Sequence, residues 1–206
     1  IDGFIVQKIG NGAFKNKDIE SIKFPDRMDY IGDEVFKGCT LLKTIDFNKV
    51  KGIGRSAFEG CTSLKEVEFP GSLTSIGNWS FYNCTGLSEV RLPDTLTTLG
   101  RNSFADCTNL SKINYPMSLS SAGESIFAGD SRLKSITVPD GVKKLPDSVF
   151  KNCTNFTEII LPESLKEIGV AALEGCTGLT AIQLPSGLTS IGNWSFNNCT
   201  GLTEIQ

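Results

Sequence analysis

Cysteine is the most reactive residue type in this sequence, because a thiolate can act as a nucleophile or a metal ligand. No two of the seven cysteines lie close together, so the chain has no Cys-x-x-Cys metal or redox motif. Each occupies the same position of a repeated unit: Cys39, Cys61, Cys84, Cys107, Cys153, Cys176 and Cys199. Stacked units would align the thiols with parallel Cβ directions, which suits the roughly 90° dihedral of a disulfide poorly. The sequence therefore predicts buried free thiols and no disulfide, metal site or cofactor.

Histidine is absent from the sequence. Its absence excludes a Ser-His-Asp triad, a Cys-His dyad and any histidine-ligated metal site. Carboxylates remain, since Glu66, Glu68 and Glu89 fall on neighbouring predicted strands and such pairs can do acid–base work. Charged residues of both signs occupy the same positions in other units, which indicates a solvated face instead. We therefore predict no catalytic residues and a protein that is not an enzyme.

Charge and hydropathy exclude two further classes of interaction. Lys and Arg number 20 against 23 Asp and Glu, which gives a formal net charge of −3. A chain with this balance lacks the excess positive charge that would attract the phosphates of a nucleic acid. It also lacks a run of about 18 apolar residues, so we predict neither nucleic-acid binding nor direct membrane insertion of this segment.

A repeated unit must position these residues. A phenylalanine lies three residues before each cysteine position and recurs in steps of 22, 22 and then 23 residues. These positions are Phe14, Phe36, Phe58, Phe81, Phe104, Phe127, Phe150, Leu173 and Phe196. A fixed period of this length indicates a solenoid, in which each coil buries its apolar residues only against its neighbours. We interpret residues 1–206 as a single solenoid of about nine coils, and the missing polar capping coils predict a segment of a longer chain.

Each coil contains an apolar–polar–apolar stretch, such as residues 67–69, that predicts a short half-buried strand. A proline such as Pro70 follows and ends the strand, because it has no N–H to donate. A glycine such as Gly77 then suits a sharp corner, and the remainder has room for about one helical turn. The predicted fold class is an α/β repeat: a right-handed solenoid with one short parallel β-strand per coil of about 23 residues.

The repeated pattern is Leu-x-x-Ile-x-Leu-Pro-x-x-Leu-x-x-Ile-Gly-x-x-Ala-Phe-x-x-Cys-x-x-Leu. It resembles the BspA-like, or treponemal-type, leucine-rich repeat and covers essentially the whole chain. The resemblance implies a leucine-rich repeat solenoid in a secreted or cell-surface protein of a bacterium or parasitic protist. It also implies adhesion to a protein or glycan partner, for which host extracellular matrix is one candidate. The asparagine ladder of commoner leucine-rich repeats is missing, so the properties of receptor and inhibitor subclasses are not carried over.

The open face of the predicted strands is the expected docking surface, since solenoids commonly bind partners on such faces. Charged residues concentrate there in the N-terminal half, and we predict that they bind the partner. They are Asp46, Glu66, Glu68, Glu89, Arg91 and Lys112. Trp79 stands where other coils have Glu34, Ser56 or Asn102. We include Trp79 as a candidate binding anchor, with lateral packing against a neighbouring coil as the alternative.

Two other functions fit the same pattern. The chain could be a passive structural spacer that holds other domains away from a cell surface, in which case its strand-face residues would be freely replaceable. It could also be the targeting arm of a larger multidomain enzyme, whose catalytic domain would lie outside these 206 residues. The preferred interpretation is a non-enzymatic recognition module that acts outside the cell or on its surface.

Overall fold

The computed structural model describes residues 8–206, which form a solenoid of short parallel strands. Each complete coil contains two strands and then a turn segment with the repeated phenylalanine. Even-numbered strands form one side, called the strand face, and odd-numbered strands form a second side, called the second ladder. The strands are β1 (Lys8–Ile9), β2 (Ser21–Lys23), β3 (Tyr30–Ile31), β4 (Thr44–Asp46), β5 (Gly52–Ile53), β6 (Glu66–Glu68), β7 (Ser75–Ile76), β8 (Glu89–Arg91), β9 (Thr98–Leu99), β10 (Lys112–Ile113), β11 (Ser121–Ala122), β12 (Ser135–Thr137), β13 (Lys144–Leu145), β14 (Glu158–Ile160), β15 (Glu167–Ile168), β16 (Ala181–Ile182), β17 (Ser190–Ile191) and β18 (Glu204–Ile205).

The strand face confirms the short parallel strand predicted for each coil. In β6 the side chain of Val67 is buried between the exposed Glu66 and Glu68, as an apolar–polar alternation requires. Within each sheet of this face neighbouring strands pair in register, so that Val67 lies beside Val90 of β8. The longest hydrogen-bonded group on this face is β6, β8 and β10.

The second ladder is an additional strand in each coil that the sequence analysis did not predict. Strands β1, β3, β5, β7, β9 and β11 form one parallel sheet, and β13, β15 and β17 form another. Each strand has only two residues, and the ladder is extended by flanking groups such as the Gly100 N–H, which donates to the Ile76 carbonyl at 2.8 Å. On this second side, strands therefore join neighbouring coils at every junction except the one between β11 and β13.

The third side consists of turns, and no helix occurs in residues 8–206. Trp79 and Asn83, on either side of Phe81, have left-handed φ angles of 55° and 57°. The N–H groups of Trp79, Phe81 and Asn83 donate to carbonyls of the next coil at 2.8–2.9 Å. A helical turn would direct these N–H groups to carbonyls of its own segment. The expected helical turn is thus replaced by a third set of bonds between coils.

Stacked phenylalanines fill the core. The rings of Phe81 and Phe104, for example, have centroids 5.1 Å apart and are within 2° of parallel. Beside them the cysteine thiols donate to carbonyls of the preceding coil, as Cys84 does to Phe58 at 3.1 Å and Cys199 does to Leu173 at 3.0 Å. All seven cysteines are buried and free, which confirms the prediction of buried free thiols. Burial raises the pKa of the Cys84 thiol to about 12, so this sulfur is protonated at neutral pH.

Asp130 takes the cysteine position in the β10–β11 coil and is completely buried. Its Oδ1 accepts a hydrogen bond from the Cys107 N–H at 2.9 Å, whereas its Oδ2 has no partner. Elsewhere the cysteine N–H donates to the carbonyl of the residue three positions earlier, as Cys84 does to Phe81. Burial raises the pKa of Asp130 well above the ordinary value for a carboxyl group. Asp130 therefore hydrogen-bonds less completely than the cysteines that occupy this position in neighbouring coils.

Candidate binding surface on the strand face

A shallow groove of about 910 Å³ runs across β6, β8 and β10 on the strand face. Its floor consists of Val67, Val90 and Ile113, which are only 5–8% exposed. The polar side chains that line it are Glu66, Glu68, Ser88, Glu89, Arg91, Ser111, Lys112 and Asn114. The structure therefore brings together five of the seven residues predicted to bind a partner.

Parallel pairing arranges the charged side chains of the groove in two rows across the strands. Glu66, Glu89 and Lys112 are in register in one row. Glu68 and Arg91 are in register in the other. Because paired strands are about 4.8 Å apart, each row presents its charges at nearly fixed intervals. The groove thus offers three carboxylates and two cations in a defined pattern.

The charged groups of the groove are not paired with one another. Within residues 8–206, none of the five forms an ion pair with an N···O distance of 4.0 Å or less. On the turn side, by contrast, Lys15 and Glu34 are 2.7 Å apart and Lys151 and Glu174 are 2.8 Å apart. The charges of the groove are therefore available to a ligand without the loss of an existing ion pair.

Asp46 and Trp79 lie outside the groove. Asp46 is on β4, is 3.3 Å from Lys23, and lines a separate depression together with Glu68. Trp79 is half-buried on the turn side, where the Arg101 guanidinium lies 5.5 Å from the centroid of its ring. This is the lateral packing that the sequence analysis gave as the alternative to an anchor. The structure does not bring Trp79 together with the strand-face residues.

Three polar residues of the groove were not among the predicted binding residues. The Asn114 side chain bonds to both backbone groups of Leu92, with its Oδ1 2.7 Å from the Leu92 nitrogen and its Nδ2 3.0 Å from the carbonyl oxygen. Ser88 and Ser111 donate to carbonyls of the preceding coils at 3.2 and 3.0 Å. Their outward positions beside the strands were the signal in the sequence. Because their groups already have protein partners, they mainly fix the shape of the groove.

The groove is suited to recognition by hydrogen bonds and charges. Electrostatic catalysis is strongest in sites that exclude water. The carboxylates of the groove are exposed to water, so they lack this feature of a catalytic site. The described part of the chain contains no group of three or more acidic, cysteine or histidine side chains placed to hold a metal ion. Among residues 8–206 there is also no helix that could span a bilayer.

Comparison with known families gives the same repeat. A sequence model of the BspA type leucine rich repeat region matches residues 7–133 and 121–206, in six copies. The chain belongs to the BspA-type leucine-rich repeat family. This result confirms the resemblance, and leucine-rich repeat solenoids typically bind proteins and are not enzymes. A comparison with curated proteins found no match.

Solved structures show where the BspA-type chain fits among its relatives. A leucine-rich repeat protein from Bacteroides ovatus is 29% identical, with a TM-score of 0.85 over 97% of this chain and 58% of that one. The Treponema pallidum leucine-rich repeat protein is 30% identical, with a TM-score of 0.71 over 78% of each chain. A protein from Eubacterium ventriosum is 22% identical, with a TM-score of 0.70 over 93% of this chain and 62% of that one, and shows the same fold. The leucine-rich repeat solenoid is thus confirmed, and the chain spans little more than half the length of the Bacteroides protein.

Proposed function

We propose that this BspA-type chain is a non-enzymatic recognition module that binds a protein or glycan partner through the strand face. The observation that carries the proposal is the groove over β6, β8 and β10, whose five charged side chains are exposed and unpaired in the described residues. Binding a charged partner there would require no ion pair to be broken.

The arrangement of the groove indicates the chemistry of the partner. Glu66 and Glu89 form an acidic end, and Lys112 and Arg91 form a basic end. A complementary surface would present cationic groups over the former and anionic groups over the latter, at the spacing of the strands. The buried floor of Val67 and Val90 offers little apolar area. We therefore expect a polar partner and moderate affinity that falls as salt concentration rises.

Asp46 and Trp79 have secondary places in this proposal. Asp46 would extend the acidic end of the groove through the depression that it shares with Glu68. Trp79 lies on another side of the solenoid, so it could contribute only to a partner that wraps around the molecule. We propose Asp46 as a peripheral binding residue. A binding role for Trp79 stays a prediction.

We further propose an extracellular or cell-surface location, as the family resemblance implies, with host matrix proteins among the candidate partners. Detection of the full-length protein by surface biotinylation of intact source cells would support this location. Recovery only from the cytosolic fraction would refute it.

A binding experiment on arrayed matrix proteins and glycans tests the strand face. The test variant replaces Asp46, Glu66, Glu68 and Glu89 with Ser. The matched control replaces four exposed carboxylates elsewhere, Asp18, Asp94, Asp140 and Glu163, and therefore has the same net charge. We expect wild type and control to bind the same array members and the test variant to lose them. Equal binding by all three proteins would place the site elsewhere, and binding by none would refute the recognition of these partner classes.

A further inference from the structure

A cleft separates the β10–β11 coil from the β12–β13 coil on the second ladder. Strands β11 and β13 are not hydrogen-bonded, and no Cα of one lies within 8 Å of a Cα of the other. Paired strands are about 4.8 Å apart. The opening has a volume of about 550 Å³. On the turn side the same coils remain bonded, since the Ser125 and Phe127 N–H groups donate to the next coil at 2.9 and 3.0 Å.

Two residues of the sequence account for the cleft. Ala122 occupies the position that Leu99 and Leu145 fill in the coils on either side, so a large part of one apolar side chain is missing. Pro146 occupies a position that is glycine in neighbouring coils, where the Gly123 N–H donates to the Leu99 carbonyl at 2.8 Å. Proline has no N–H, so the Ala122 carbonyl receives no equivalent bond. The gap therefore combines an unfilled apolar space with an interrupted ladder.

The edges of the cleft present unpaired main-chain groups. At the next junction, the Lys166 and Glu167 N–H groups donate to the Lys143 carbonyl at 2.8 and 3.1 Å. The equivalent bonds from Lys143 and Lys144 to the Ser120 carbonyl are not formed within the described residues. One edge therefore offers carbonyl acceptors and the other offers N–H donors. A single added strand between two strands needs about 9.6 Å, which is twice the ladder spacing and consistent with a gap above 8 Å.

Tyr115 provides an independent polar group in the cleft. It lines the opening together with Leu119 and Val142, and only 6% of the residue is exposed. Its hydroxyl has no hydrogen-bond partner among residues 8–206, and burial raises its pKa to about 12. The neutral hydroxyl of this lining residue is thus a donor without a partner among the described residues. Its oxygen reaches solvent, so this hydroxyl is free to donate to a ligand in the opening.

We propose that this cleft binds an extended peptide segment of a partner protein, which adds as a strand between β11 and β13. Peptide N–H groups would donate to the Ser120 and Ala122 carbonyls, and peptide carbonyls would accept from Lys144 and from the Tyr115 hydroxyl. One branched apolar side chain would fill the space beside Ala122. A peptide backbone is the ligand class that alternates donors and acceptors at ladder spacing. The site lies on a different side from the strand-face groove and is independent of the proposed function.

The test uses the protein's own strand sequence as the probe. A peptide with the sequence of residues 187–193, blocked at both ends, contains β17, which pairs with β15 in an intact ladder. It is titrated into ¹⁵N-labelled protein to about 5 mM, a range that detects millimolar dissociation constants. We expect saturable amide shifts confined to residues 119–124 and 141–147. A peptide with aspartate in place of its isoleucine should give no saturable shift.

Variants distinguish the cleft from other surfaces. Ala122→Ile fills the apolar space and should weaken binding at least about tenfold, since a fully occupied position excludes the peptide side chain. Ala181→Ile adds the same side chain at an exposed position of the strand face and should leave binding unchanged. Tyr115→Phe removes only the hydroxyl and should weaken binding about three- to tenfold. Circular dichroism establishes that each variant is folded.

Three results would overturn the proposal. The first is the absence of saturable shifts in wild-type protein, and the second is unchanged binding by folded Ala122→Ile protein. The third is a set of shifts at residues 119–124 and 141–147 that depends on protein concentration without peptide, which would assign the cleft to a second copy of the chain.

Discussion

Replacing Asp130 with cysteine should stabilise the protein, because the substitution restores the regular hydrogen bonding of the core. Asp130 is completely buried and leaves its Oδ2 without a partner. A thiol at this position would donate to the Phe104 carbonyl, as the Cys107 thiol does to the Phe81 carbonyl at 3.2 Å. The Cys107 N–H would also be free to bond within its own turn, as the other cysteines do.

The expected gain follows from the cost of an unsatisfied buried oxygen. Such a group destabilises a protein by about 1–3 kcal/mol, and thiol hydrogen bonds add little because sulfur is a weak donor. We therefore expect the free energy of unfolding of Asp130→Cys to exceed that of wild type by about 2 kcal/mol at pH 7.

The pH dependence follows from the pKa of Asp130, which burial raises above the ordinary value of 3.8. Between the unfolded and folded pKa values, the native state binds more protons at this site than the unfolded state. The Asp130 contribution therefore lowers stability as pH rises through that window, by up to about 1.4 kcal/mol per pH unit. Below the pKa of Asp130 in the unfolded chain, the cost of ionising the buried carboxyl group disappears. The stability advantage of Asp130→Cys over wild type should therefore shrink on acidification from pH 7 towards pH 4.

Urea denaturation of both proteins under reducing conditions, at several pH values from 4 to 7, measures this difference. Other carboxyls titrate in both proteins, and their effects cancel in the comparison. Asp130→Asn is the control for charge alone, since it keeps the size of the side chain. If Asp130→Cys is no more stable than wild type at pH 7, or its advantage is constant with pH, the assignment of Asp130 as a destabilising buried acid is wrong.

The other predictions concern single positions of the repeat. Ser80→Ala should cost about 1–2 kcal/mol of stability in urea denaturation, because its buried hydroxyl donates to a carbonyl of the preceding coil at 2.7 Å. Ser103→Ala should be neutral or stabilising, because that buried hydroxyl has no partner, and equal losses for the two changes would contradict this distinction. Phe81→Ala should cost about 3–5 kcal/mol by the same measurement, and a loss below about 1 kcal/mol would mean that the ring stack is not the core. Gly100→Ala should lower the melting temperature, because its Cβ would lie 2.4 Å from neighbouring backbone, whereas Gly71→Ala meets nothing within 4 Å and should melt close to wild type.

The sequence predicted the period, the strand of the strand face and the cysteine positions because each depends on a pattern that recurs in nearly every coil. It did not predict the second ladder, because a two-residue strand such as Ser75–Ile76 is too short to show an alternation. The expected helical turn was also wrong for a local reason. The left-handed corner at Trp79 carries a residue that rarely adopts positive φ, and bonds to the next coil override the local preference.

The sequence predicted which charged residues share the strand face, but not how their side chains are arranged there. Alternation placed Glu66, Glu68, Glu89 and Arg91 on one face, and the structure has them there. Whether neighbouring charges pair depends on side-chain conformations, which no sequence pattern specifies. The cleft required two separate irregularities, Ala122 on β11 and Pro146 directly after β13, to face the same opening, and only the stacking of the coils shows that they do.

The gap between β11 and β13 has a consequence for how the molecule unfolds. In a repeat protein, cooperativity passes from coil to coil through the free energy of each interface, much as in a one-dimensional chain of coupled units. Between the β10–β11 coil and the β12–β13 coil, hydrogen bonds join the strands on neither the strand face nor the second ladder, and the turn side supplies the bonding. The coils before this junction and the coils after it form two blocks. We expect the two blocks to melt as separate cooperative units, with hydrogen exchange fastest where they meet. Pro146→Gly combined with Ala122→Ile should merge them into one transition.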